Sequence, residues 1–391
     1  MDKPLRILAV VNVPWDPRLG AARVWIELAQ DWRKAGHHVE KFSLTDAFPE
    51  PASSPAHAAL RLLGFPQRAA KFIRENAERF DVIDALIGTL PFPKKSLGFR
   101  GLLVARSVGL YHLYEKFERM AAQRWGPPPQ GKLLARPFYW FFNQRARSAS
   151  AASVRHCDLL NLPNSDELAC LRHEIGSAKP AIVQPYGLRP ESAEALAGAA
   201  APPELRWANP KVAFVGMWSV RKGARDWPQI IREVRVRIPT ARFVFLGTMI
   251  ANEKVWSDLE LEPVDVIEIV PQFDPDQLPR LLGDCTVGAF PSYVEGFGMA
   301  VVEQLAAGLP TVAYDAPGPR DILRGELAPL LVPAGDAARF AEALANLLGN
   351  DLQRYRTLSG LSFETARKFS WPQIASATAA EYQKFLHDAG A

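Results

Sequence analysis

The residue types and spacings that suit chemistry are concentrated in one stretch, Asp284 to Arg320, where Glu295-Gly296-Phe297-Gly298 leads into Met299-Ala-Val-Val-Glu303. Glycines at 296 and 298 remove side chains where the free N–H groups of a helix start point outward. That suits a phosphate or diphosphate held by backbone donors and by the helix dipole. Glu303 stands eight residues beyond Glu295, a reach of about 12 Å at helical rise. A carboxylate accepts two hydrogen bonds at once, so Glu303 suits the vicinal diol of a ribose and Glu295 the hydroxyls of a transferred group. Upstream, Arg221-Lys222-Gly223 places two cations at a second strand-to-helix junction, Lys as a point charge and Arg as a planar fork for phosphate oxygens. Cations at a helix N-terminus oppose its dipole, a conflict that an anion relieves. Each piece also has a plainer explanation. Glutamates on helices are usually solvated, paired glycines serve turns, and Gly296-x-Gly298-x-x-Val301 lacks the third glycine of a dinucleotide fingerprint.

The elements that must position these residues follow from hydrophobic patterning. Leu5–Asn12 is an apolar run of strand length. The turn residues Pro14 to Leu19 come next, then a helix from Gly20 with Val24, Leu28, Trp32 and Ala35 at spacings of three and four, a stop at Gly36 and a strand over Val39–Leu44. This is a β-α-β unit, so its sheet is parallel. Asp81–Gly88 and Gly101–Ser107 are nearly continuous apolar runs, as strands covered on both faces require. Pro49–Pro55 reads as a loop, and Leu188–Pro210, rich in Pro, Ala and Glu without a period, as an interdomain linker. Beyond it the alternation restarts: strands over 211–215, 242–246, 264–270, 287–290 and 311–314, and helices over 222–236, 276–282 and 301–307. The expected organisation is α/β, with two Rossmann-like domains in series over 1–188 and 211–375, a linker over 189–210 and a terminal helix over 376–391.

Composition restricts the function classes. The chain has 391 residues, 48% hydrophobic and 23% charged, which excludes a disordered or fibrous protein and allows two or three domains. Residues 1–189 carry 27 Lys and Arg against 17 Asp and Glu, whereas residues 190–391 carry 19 against 25. The halves therefore differ in net charge, +10 and −6, and are expected to meet different partners. The cysteines Cys157, Cys170 and Cys285 are odd in number and lack C-x-x-C spacing, so no disulfide framework or zinc cluster is encoded and a reducing cytosol fits. The N-terminal apolar run is too short for a signal peptide, and no run approaches the ~20 residues needed to span a bilayer. Asp274-Pro-Asp276 has the spacing of a metal-binding pair, but Pro inside it and a helix beyond make it a cap. No metal is expected.

The string Glu295-Gly-Phe-Gly-Met-Ala-Val-Val-Glu303 resembles the E-x7-E motif of family 4 retaining glycosyltransferases, and Gln304-Leu-Ala-Ala-Gly-Leu-Pro-Thr-Val312 is similar to the segment that follows it there. Phe214-Val-Gly216 with Arg221-Lys222-Gly223 resembles the strand, glycine turn and Lys-Gly that meet the donor diphosphate, with Met217 where an arginine is usual. Gln272-Phe273 is similar to the strand end beside the nucleobase, and Phe369-Ser-Trp371 to the start of the helix that returns to the first domain. The resemblance implies a GT-B fold, two Rossmann-like domains facing one another across a cleft, and transfer of a sugar from a nucleotide-diphosphate sugar to an acceptor hydroxyl with retention of configuration. It implies Glu295, Lys222 and Arg221 as catalytic residues. Gly216, Gly296, Phe297, Gly298, Met299, Glu303, Gln272 and Phe273 would bind the donor as co-substrate, with no other cofactor. The acceptor would be a glycan, a lipid-linked sugar or a small molecule.

In the first half, Gly20-Ala-Ala-Arg-Val24 resembles the family's glycine loop and first helix, with Leu19 where a first glycine is common. Ala105-Arg106-Ser-Val108-Gly109 matches a place where many members carry a histidine after the serine; here it is Val108, with His112 near enough in sequence to substitute. Gly20, Arg106 and His112 are thus acceptor-side candidates. Without that histidine, two alternatives stand: a catalytically silent nucleotide-sugar binder, and a nucleotide-sugar epimerase or hydrolase. Residues 116–155 hold eight Lys or Arg against Glu118 alone, with Phe138-Tyr-Trp-Phe-Phe142 among them. That composition suits peripheral contact with the inner face of a membrane or a lipid-linked acceptor, and equally a helix packed by its aromatics with a solvated basic rim. No RNA-binding motif accompanies it, so nucleic acid is not expected.

Overall fold

The computed structural model describes residues 3–126, 136–262 and 264–390, without the side chains of residues 136–140, 389 and 390. The chain divides into two compact units, one of Met1–Tyr186 with Trp371–Ala391 and one of Gly187–Ser370.

The first unit is built on six parallel strands: β1 (Arg6–Val10), β2 (His38–Phe42), β3 (Val82–Leu86), β4 (Leu102–Arg106), β5 (Leu159–Leu162) and β6 (Ala181–Val183), in the order β2-β1-β3-β4-β5-β6. Ile7 to Val11 are wholly buried because helices cover both faces of the sheet, which explains why the run shows no alternation. Register pairs Ile7 with Val39 on one side and with Val82 on the other. Helix Gly20–Lys34 buries Val24, Leu28 and Trp32, the stripe its periodicity requires, and carries Arg33 and Lys34 in its last turn, where positive charge complements the dipole. Trp32 donates from Nε1 to the Ala375 carbonyl at 2.9 Å, which ties that helix to the terminal helix Trp371–Gly390.

The second unit contains β7 (Lys211–Val215), β8 (Arg242–Leu246), β9 (Ile267–Val270), β10 (Val287–Phe290), β11 (Thr311–Tyr314) and β12 (Leu331–Val332), again all parallel, in the order β12-β11-β10-β7-β8-β9. Its aromatic core sets Trp227 edge-on to Phe245 at 4.8 Å and to Phe214 at 5.7 Å.

Three sequence expectations need correction. Residues 189–210 are not a linker but two helices of the second unit, Pro190–Ala199 and Pro203–Ala208. Proline in the first turn starts each one, Leu196 and Arg206 are buried, and the segments are too short for a period to show. The first unit ends at Tyr186 and resumes at Trp371, earlier than expected at both points, because the Tyr186 and Trp371 rings stack at 5.8 Å. The helix expected from Lys222 begins at Trp227; Arg221 and Lys222 lie in a separate 3-10 turn closed by Gly223 in the left-handed region. The loop expected over Pro49–Pro55 is present up to Ser54, whose hydroxyl accepts from the His57 N–H at 3.1 Å and caps the helix Pro55–Asn76 that follows.

Lys132 of the basic stretch lies outside the described residues, as do the side chains of Arg136 and Phe138 to Trp140. Among the described residues no helix is long and apolar enough to cross a membrane, and the three cysteines are buried thiols.

Candidate functional site

In the second unit β7 and β10 are neighbours, and the chain leaves them toward opposite sides of the sheet. Their carboxyl ends therefore flank the crevice in which doubly wound sheets bind ligands. Gly216 and the turn Val220–Lys222 follow β7, while Pro291 to Gly298 and the helix Met299–Ala306 follow β10.

Glycines let the two loops meet. A Cβ on Gly223, held at φ 82°, would lie 2.5 Å from the Pro291 carbonyl oxygen, so no other residue permits this approach. The Tyr293 N–H donates to the Arg221 carbonyl at 2.9 Å. On the far side, a Cβ on Gly318 (φ 89°) would lie 2.1 Å from the Phe297 carbonyl oxygen. The Glu295-to-Gly298 loop is thus clamped between two backbone contacts.

Three donors converge on one carboxylate oxygen. Glu295 Oε1 accepts from Lys222 Nζ at 2.7 Å, Arg221 Nη1 at 2.9 Å and Ser292 Oγ at 2.7 Å. Glu295 is only 8% exposed. Burial pushes its carboxyl pKa up, but Lys222 and then Arg221 outweigh that and hold it below the ordinary range. Burial pushes the Lys222 ammonium down, Glu295 only partly restores it, and Arg221 adds repulsion, so Lys222 titrates below an ordinary lysine. The Lys222 ammonium also sits 4.7 Å from the centre of the Phe290 ring. Two cations thus converge on one buried carboxylate oxygen, a grouping of charged donors that suits an anion.

Gly298 (φ 96°) is the N-cap of the helix Met299–Ala306 and has no side chain with which to cap it. A Cβ on Gly216 would come within 3.7 Å of Lys222 Cε, so Gly216 and Lys222 are adjacent. Met299 and Glu303 are half-buried on the helix, and the Glu303 charge acts on Lys222. The helix begins at Met299 with Gly298 as its N-cap, so Glu295 stands in the loop before it and Glu303 on it. The Phe297 side chain is buried, its ring centred 5.5 Å from that of Phe369. Gln272 and Phe273 follow β9, two strands from β7 along the same edge, where the Phe273 ring packs against Gly247. Asp274 makes a capping box with Gln277, as its position before a helix implied.

The acceptor-side expectations fare differently. Gly20 opens its helix at the surface. Arg106 is a correction. It is 1% exposed, with its guanidinium 2.7 Å from Asp84 Oδ2 and 2.9 Å from the Tyr382 hydroxyl, so it is a core ion pair with no ligand-facing atom. His112 is 3.0 Å from Glu174 Oε2, and Lys116 also holds that carboxylate. With Cys170, His112 and Glu174 bring ligand-type atoms within 4.8 Å of one another, a grouping that sequence spacing did not reveal.

Sequence reasoning missed Ser292, although it stands three residues before Glu295 in the quoted stretch. It also missed Asp226, whose Oδ2 accepts from the hydroxyls of Tyr293 at 2.6 Å and Tyr314 at 2.9 Å. The Tyr293 bond holds the loop of Glu295. No local signal points to Asp226, because its partners are 67 and 88 positions away.

Two Rossmann-like units, the second with a covered cationic cradle at its switch point, define a protein of the GT-B fold. Residues 209–350, within the second unit, match the family model described as Glycosyl transferases group 1. A sucrose-phosphate synthase structure from Thermosynechococcus elongatus superposes with a TM-score of 0.74 at 20% identity, covering 98% of this chain and 100% of the other. The Anabaena protein HepE, solved with UDP and glucose, gives 0.63 at 16% identity over 97% and 100%. Among curated sequences, the MMP alpha-(1->4)-mannosyltransferase of Mycolicibacterium hassiacum is 26% identical over 88% of this chain and 77% of its own length. A D-inositol 3-phosphate glycosyltransferase of Nocardioides sp. is 35% identical over 30% of this chain, and the phosphatidyl-myo-inositol mannosyltransferase of Mycobacterium leprae 44% over 21%. Those two alignments span about a quarter of each relative, 26% and 22%.

Proposed function

We propose that the protein is a hexosyltransferase of the retaining family 4 type, which moves a sugar from a nucleotide-diphosphate donor to an acceptor hydroxyl. The second unit binds the donor and the first the acceptor. The observation that carries this reading is the convergence of Lys222 and Arg221 on Glu295 beside the helix start at Gly298.

In this reading the diphosphate lies between the two cations and the amides at Gly298, which stabilise its charge as the glycosidic bond breaks. Glu295 Oε1 holds the cations, and Oε2 accepts a hydroxyl of the transferred sugar. Glu303 takes the ribose diol, and Gln272 and Phe273 flank the base. The departing phosphate oxygen receives the acceptor proton on the face from which the acceptor attacks. The leaving charge is assigned to side chains and amides, so the reading requires no metal. Support also comes from the mannosyl- and glycosyltransferase relatives and from HepE, whose structure holds UDP and glucose. The three buried thiols suit a reducing cytosol, and the basic stretch over 116–155 suits contact with the membrane's inner face.

A thermal-shift panel of UDP, GDP and ADP with their common sugars tests donor binding, because selective binding stabilises the folded chain by mass action. Product analysis with and without acceptors then separates the readings. Glycoside formed only with an acceptor supports transfer. Donor consumed without acceptor indicates an epimerase or hydrolase, and donor bound but never consumed indicates a silent binder.

A further inference from the structure

The first unit has its own switch point. β1 and β3 are neighbours, yet the chain passes from β1 to β2 on one side and then returns to β3 on the other. Asn12, just beyond β1, and Ile87 and Gly88, just beyond β3, line a cavity of about 510 Å³ there, within the range of small-molecule sites. Its walls are helix Pro55–Asn76 and helix Arg136–His156. The second wall is anchored to the strand end: Gly88, at φ 92°, would bring a Cβ within 3.4 Å of Ser150 Oγ, and its N–H donates to Ser153 Oγ at 3.0 Å.

The lining is mainly apolar. Leu62, Leu63 and Pro66 face it from one helix, and Phe142, Ala146 and Ala149 from the other. Asn12, Gln67, Arg145, Ser148 and Ser150 supply polar groups at the remaining wall. Pro66 lies inside its helix and has no N–H, so the Leu62 carbonyl at the same wall lacks its usual helical donor. A sugar set against the apolar part of the lining would leave hydroxyls facing hydrocarbon, at a cost for each unpaired group. An alkyl group would gain by leaving water.

We propose that this cavity binds the apolar aglycone of an amphiphilic acceptor, with the polar head toward Asn12 and the strand ends. The inference rests on the transfer reading above and narrows its acceptor to hydroxylated compounds that carry an alkyl chain.

The test uses the full chain with the donor found in the thermal-shift panel and paired methyl and n-octyl glycosides of mannose, glucose and galactose, kept below micelle formation. KM is measured from nucleoside diphosphate release, and octyl-glycoside binding without donor by calorimetry. The octyl member of an accepted pair is expected to have a KM lower by roughly tenfold or more, the scale on which an apolar pocket discriminates. Ala149→Phe fills the cavity and should abolish the preference, while nucleotide still raises Tm. Phe142→Ala, a milder change, should weaken it. Equal KM values within every accepted pair, or a preference that survives both substitutions, overturns this proposal and leaves sugar transfer standing. A chain that consumes no donor with any acceptor counts against sugar transfer instead. Calorimetry then decides the cavity alone: octyl binding lost in Ala149→Phe supports it, and no octyl binding overturns it.

Discussion

Lys222 Nζ and Arg221 Nη1 both contact Oε1 of Glu295, at 2.7 and 2.9 Å, so one buried carboxylate faces two neighbouring cations. The pairing holds both cations on one oxygen. It therefore predicts how the site responds when either side is removed.

Lys222→Met and Glu295→Ala should each lower turnover by about 10²- to 10³-fold, the scale of losing one preorganised charge partner. They should differ in stability. Glu295→Ala removes the buried carboxylate that Lys222 and Arg221 share, with an expected loss of about 3–5 kcal/mol, whereas Lys222→Met removes a charge that burial already disfavours and should cost less. Steady-state kinetics with differential scanning fluorimetry checks both. Normal turnover in the two variants would remove this cluster from the mechanism.

The pH dependence follows from the lowered pKa of Lys222. Diphosphate binding needs the ammonium charged, so affinity should fall as pH rises through the free-protein value, which is below the ordinary 10.5. Stability contributed by this group moves the other way: the unfolded chain binds the proton more tightly, so stability rises with pH across the window between the two values. Nucleotide titrations and melts of the wild type and Lys222→Met should show both trends, absent from the variant.

Gly223→Ala should cost about 1–3 kcal/mol through forced packing and a disfavoured positive φ, since the new Cβ meets the Pro291 carbonyl. Because that contact holds the two loops together, nucleotide affinity should fall with it. Gly360→Ala, a helix position with open space around it, serves as the control. Equal Tm and affinity in the two variants would remove Gly223 from the architecture of the site.

Asp226→Ala should leave the buried hydroxyls of Tyr293 and Tyr314 without the oxygen both now share. The expected loss is about 2–4 kcal/mol, with kcat falling more than KM rises as the loop of Glu295 loosens. Asp226→Asn, which retains an acceptor oxygen, should restore part of kcat. A stability loss with unchanged kcat would make the contact purely structural.

Arg106 supplies a contrast in the first unit. Asp84→Ala strands its guanidinium in the core, with an expected cost of about 3–5 kcal/mol, visible as a lower denaturation midpoint. Replacing both, Asp84→Leu with Arg106→Met, should recover much of the loss. A cost confined to KM, without loss of stability, would return Arg106 to the substrate side.

Short continuous apolar runs and helices of period 3.6 are local properties, so the chain alone carried the alternating α/β pattern. The same holds for the glycine-rich turn before Glu303 and for the two cations before Gly223, whose local chemistry favours an anion whatever surrounds them. Pairing across the sheet was decided elsewhere. That β7 and β10 adjoin, that Ser292 and both cations share Glu295 Oε1, that Asp226 braces Tyr293 and that Arg106 is sealed against Asp84 are contacts between distant positions, invisible to any periodicity. Residues 189–210 were misjudged for a related reason: helices of six and ten residues gain their stability from packing rather than propensity, and packing exists only in three dimensions.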